Sequence, residues 1–147
     1  MKYKTRWIIM GVAIVLILLM LASLFISMRK LQTVTRVTMS DYAVGAINES
    51  GKVIESHHSL YTKKMLNVED MKVTLKDDAT VSVTVYLYDR DENLLTSYDA
   101  TTPVNEVSGA KYFRVMITPA LVDGEPVDLN ALNMHRYTNQ VEVLYTK

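Results

Sequence analysis

A strict two-residue alternation in the second half of the chain constrains the fold more than any other feature. Val81, Val83, Val85 and Leu87 alternate with Ser82, Thr84, Tyr86 and Tyr88, and Phe113, Val115 and Ile117 alternate with Tyr112, Arg114, Met116 and Thr118. Successive side chains of an extended chain point to opposite faces, so each such run lays one face on a core and turns the other outward. Met71, Val73 and Leu75 repeat the pattern against Lys72, Thr74 and Lys76, as do Val141, Val143 and Tyr145 against Glu142 and Leu144. Turn-forming clusters separate these runs: Glu49–Lys52, Lys76–Asp78, Asp89–Asn93, Ser108–Gly109 and Asp123–Pro126. With the weaker candidates Tyr42–Ile47, Lys52–Glu55, Lys64–Val68 and Leu94–Tyr98, the pattern predicts about eight short strands in a mainly β, jelly-roll-like antiparallel β-sandwich. Val104–Val107 reads as a single helical turn, and Val127–Asn139 as a long loop over one end.

The first part of the chain has a different character. Trp7–Met28 runs twenty-two positions without a charge. As a helix it would be about 33 Å long, against roughly 30 Å for a bilayer core. Lys2, Lys4 and Arg6 precede the run, and Arg29 and Lys30 follow it. No small-residue cleavage site ends it, and the chain has no cysteine for lipid attachment or disulfides. The sequence therefore predicts a short basic tail at residues 1–6, a single transmembrane helix at 7–28 and a connector at 29–38, followed by the β-sandwich at 39–147. The expected topology is single-pass in the lipid bilayer, with a cytoplasmic N-terminus. The domain is then extracytoplasmic, or exposed on a membrane-containing virion. Ser23 and Ser27 form a small-xxx-small pair of the kind that lets two helices approach.

The charge balance bears on partners. From Val37 onward ten Lys and Arg stand against sixteen Asp and Glu, a net charge of −6. A nucleic-acid binder needs a basic stripe, and none is visible, so nucleic acid is not an expected partner.

The outward set on the two strongest strands, Tyr86, Tyr88, Tyr112 and Arg114, is the candidate ligand-binding group. If the strands are neighbours, aromatic rings surround a guanidinium, a combination that stacks on sugars and hydrogen-bonds hydroxyls or a carboxylate. The competing role is structural: cross-strand tyrosines stiffen a sheet face or lie under a loop, with Arg114 paired to Asp89 or Asp99. Asp89-x-Asp91-x-Asn93 begins like a calcium loop, but Leu94 and Ala100 stand where glycine and glutamate are required. His57 and His58 are adjacent and so would point to opposite faces of a strand, and His135 is remote in sequence. The sequence holds no nucleophile elbow, P-loop, dinucleotide fingerprint or HExxH. It thus predicts a non-enzyme with no catalytic residues, no metal and no cofactor.

Three phrases, read together, carry a resemblance. They are Val85-Tyr86-Leu87-Tyr88-Asp89 before a polar turn, Leu94-Leu95-Thr96-Ser97-Tyr98 after it, and Ser108-Gly109-Ala110-Lys111-Tyr112-Phe113-Arg114-Val115. Over roughly residues 43–118 this order resembles the jelly-roll, carbohydrate-binding-like β-sandwich modules of tail, baseplate and surface proteins from phages of Gram-positive bacteria. The resemblance implies a sandwich with a binding or structural role and transfers no defined ligand residues. The expected function is that of a membrane-tethered structural or assembly component that contacts other proteins or its own copies. The alternative is a module that binds cell-wall glycan.

Overall fold

The computed structural model describes residues 2–29, 33–102 and 106–147, with side chains described from residue 11 to 24 within the first segment. The chain forms two units, residues 1–33 and Val34–Lys147.

In the first unit, helix α1 spans Lys2–Arg29. Its fourteen described side chains, residues 11–24, are exposed. Among the described residues, no helix is long and apolar enough to cross a membrane. The expected transmembrane helix at 7–28, and the single-pass localisation built on it, are corrected on this finding. The expected flanks at Trp7, the basic tail and Arg29 lie outside the described side chains, and Lys30 lies outside the described residues. Ser23 Oγ donates to Met20 O within its own helix, at 2.9 Å, and the Ser27 side chain is outside the description.

The second unit is mainly β and antiparallel. Its strands are β1 (Val34–Arg36), β2 (Tyr42–Val44), β3 (Ala46–Ile47), β4 (Val53–Ile54), β5 (Leu60–Thr62), β6 (Leu66–Asn67), β7 (Lys72–Leu75), β8 (Val81–Tyr88), β9 (Leu94–Asp99), β10 (Tyr112–Pro119) and β11 (Val141–Thr146). The six-stranded sheet runs β2-β5-β10-β8-β9, with β6 also paired to β10; a smaller sheet runs β1-β11-β7, and β3 and β4 form a hairpin. The described residues form eleven strands where about eight were expected, several of them only two or three residues long. β1 replaces the expected connector: Val34–Arg36 pairs with Leu144–Thr146, and Arg36 lies 3.6 Å from Glu142.

The alternation is realised in the core. Val83, Val85 and Leu87 of β8 and Phe113, Val115 and Ile117 of β10 are buried. They share one hydrophobic cluster with Val141 and Val143 of β11 and with the half-buried Val73 and Leu75 of β7. Both sheets therefore cover a common core. Between β5 and β6, where the ladder to β10 is interrupted, the Val115 N–H donates instead to the buried Thr62 hydroxyl at 3.1 Å. The expected loop at Val127–Asn139 contains a short helix, α2 (Met134–Thr138). Leu129 and Tyr137 pin it to the core, and the Leu129 N–H donates to His57 O at 2.7 Å. Of the expected turn at Val104–Val107, residues 104 and 105 lie outside the description.

Candidate functional site

Register brings the four predicted site residues together. On the outer face of the large sheet Tyr112 stands opposite Tyr88, and Arg114 opposite Tyr86. β5 adds Tyr61, opposite Met116. The β3–β4 hairpin folds over part of this face. Tyr86 Oη donates to Ile47 O at 3.0 Å, and Tyr88 Oη donates to Gly51 O at 2.8 Å. Ile47, Tyr86 and Tyr88 form a second small core, against which Tyr61, Met65, Leu94, Tyr112 and Met116 pack. Tyr88 is 1% exposed and Tyr86 6%, so neither ring offers a face to a ligand, while Tyr112 stays half-buried. Burial raises both buried phenols; Tyr88 reaches about 12, with the Arg114 charge pulling it down and Tyr86 adding to the rise.

Arg114 is half-buried. Its Nη2 donates to Lys63 O at 3.2 Å, its guanidinium lies 6.0 Å from the centre of the Tyr61 ring, and its buried Nε has no hydrogen-bond partner. The expected pairing with Asp89 or Asp99 does not form, because both carboxylates serve their own turns. Asp89 Oδ1 accepts from the Asn93 and Asp91 N–H groups at 2.9 and 2.8 Å, and Asp99 Oδ1 accepts from the Thr101 hydroxyl at 2.5 Å and from the Thr101 N–H at 2.8 Å. These bonds hold both carboxyls below their ordinary value. The Asp89–Asn93 segment is thus a hairpin turn closed by its own carboxylate.

The histidines are dispersed. All three are exposed, and His58 Nδ1 lies 3.2 Å from both Val127 O and Asp128 Oδ1. Among the described residues no group of three or more His, Cys, Asp or Glu side chains is placed to hold a metal.

Two features lay outside the sequence reading. The first is the edge of the large sheet. Among the described residues β9 pairs only with β8. The Ala100 N–H donates to Val83 O at 2.8 Å, which fixes the phase of the ladder. Tyr98 and Thr96, opposite Val85 and Leu87, are the bonded positions, and the peptide groups of Ser97 point away from β8. The second is a cleft of about 660 Å³ on the inner side of the same strand. Val68, Met71, Leu87, Tyr98, Val107 and Ala110 give it an apolar floor, and the exposed Glu69, Asp70 and Glu106 give it an acidic rim. An open edge depends on which strands pair, and the cleft on three segments distant in sequence, so alternation signals neither.

Comparison with protein families, with curated proteins and with solved structures found no match.

Proposed function

We propose that the β domain is a protein-interaction module, a structural or assembly component without catalytic chemistry. The open edge of β9 carries this reading. Its outward peptide groups offer an N–H and a C=O that a partner chain can bond, the route by which sheet edges recruit other polypeptides. The other edges of the six-stranded and three-stranded sheets are shorter, three residues in β1 and β2, two in β6 and four in β7. The resemblance to modules of phage tails and baseplates points to the same kind of role, membership of a larger assembly. The test is affinity purification of the full chain from its native cells under mild conditions. A defined set of proteins in near-stoichiometric amount is expected; a monomer that recovers none would sink the reading.

A second reading, carbohydrate binding, draws on Arg114. Its guanidinium has no carboxylate within ion-pair distance among the described residues, and the half-exposed Tyr112 adjoins it on the same face. An acidic cell-wall sugar suits that pair. Glycan binding by the full chain, abolished by Tyr112→Ala with the fold intact, would support it.

A further inference from the structure

We propose that the β9 edge and the cleft beneath it form one site, which takes an extended polypeptide strand that turns both basic and apolar side chains to its inner face. This deepens the protein-interaction reading and rests on it. Three observations converge. First, the peptide groups of Ser97 have no partner among the described residues, so an added strand gains main-chain hydrogen bonds there. Second, Thr96 and Tyr98 lie on the inner face, opposite Leu87 and Val85. Alternate side chains of an added strand fall on that same face, beside Tyr98 and over the apolar floor of the cleft. Third, Glu69, Asp70 and Glu106 line the cleft with no basic side chain among its lining residues, and none of the three is in an ion pair among the described residues. Carboxylates beside an apolar floor select a cationic partner. A second copy of this chain fits less well, because its domain brings a net charge of −6 from Val37 onward.

The site is tested with two synthetic heptapeptides, one of sequence Val-Thr-Lys-Thr-Val-Thr-Lys, which brings valine and lysine to one face, and one with glutamate in place of each lysine. Each is labelled and titrated with the full chain by fluorescence anisotropy. The lysine peptide is expected to bind at least about tenfold more tightly than the glutamate peptide, with an affinity that falls as salt rises. Ser97→Pro removes an outward N–H at an edge position where proline is tolerated, and weakens lysine-peptide binding by about tenfold or more. The double change Glu69→Lys, Glu106→Lys, both exposed, does the same without touching the core. A lysine peptide N-methylated on its ladder-facing groups tests the main-chain bonds from the ligand side and needs no protein variant. Equal binding of the two peptides, or indifference to N-methylation or to charge reversal, overturns the proposal. So does a dimer in sedimentation that Ser97→Pro dissolves, which would assign the edge to a second copy. Native partners that survive both variants would leave the interaction reading standing and remove this site from it.

Discussion

Gly51 shows how one residue decides what the tyrosine face can do. Its φ of +77° is strained for any residue with a Cβ, and a Cβ there would lie 2.8 Å from Leu94 Cβ and 3.0 Å from Tyr88 Cε1. The hairpin tip can descend onto Tyr88 and accept its hydroxyl only because that atom is missing. Gly51→Ala is therefore expected to lower stability by about 1–3 kcal/mol in urea denaturation, and to expose Tyr88 to solvent quenching. An unchanged midpoint would mean that the tip does not press on the sheet. Thr62 is a second single-residue dependency. Its hydroxyl accepts from the buried Val115 N–H, so Thr62→Val, nearly isosteric, leaves a donor unsatisfied and costs about 1–3 kcal/mol. Thr62→Ser keeps the bond and should recover most of that loss in the same measurement.

At the scale of elements, the segment after β10 behaves as part of the core. Leu129 is 4% exposed and Leu132 is 86% exposed, three positions apart on the same loop. Leu129→Ala is expected to cost about 2–4 kcal/mol, whereas Leu132→Ala should stay within about 0.5 kcal/mol of the parent. Equal effects in parallel urea titrations would show that the loop is not pinned where it lies. The same contrast explains what was legible in the sequence. Val83, Val85, Leu87, Phe113, Val115 and Ile117 were readable as core because eight-residue strands repeat their pattern often enough to be seen. Tyr86 and Tyr88 were readable as outward, and they are, but alternation is blind to what folds back over an outward face. The covering hairpin, Ala46–Ile47 with Val53–Ile54, offers two residues per strand, too few for a period. β1 failed for a related reason: three residues carry no pattern, and their partner β11 is more than a hundred positions away. The pairing that left β9 at an edge is likewise a property of long-range register, which no local window contains.

For the whole molecule, buried phenols set an upper limit on the pH range of the β domain. Tyr42, Tyr86 and Tyr88 all have hydroxyls raised above their ordinary value by burial, Tyr88 from 10.0 to about 12. In the unfolded chain these groups ionise near 10, while in the folded domain they hold their protons. Between those values the native state binds more protons than the unfolded state, so stability falls as pH rises. The contribution is fully present below about 10 and is lost as pH climbs through the folded values. Asp41, Asp89 and Asp99 have the opposite sense: hydrogen bonds hold their carboxyls low. What they contribute is present above the unfolded carboxylate value and is lost as pH falls through the lowered ones. The urea midpoint of the domain should therefore be nearly flat from about pH 5 to 9 and drop steeply above about 10. Phenolate absorbance should lag behind that of free tyrosine and then rise together with unfolding. Tyr88→Phe removes the most shifted of the hydroxyls near the hairpin and one hydrogen bond, to Gly51 O. It should lower the midpoint at neutral pH while making the alkaline decline shallower, since one fewer proton is released on unfolding. A decline of the same slope in the variant would show that Tyr88 titrates as an exposed phenol, and that the hairpin does not close over it in solution.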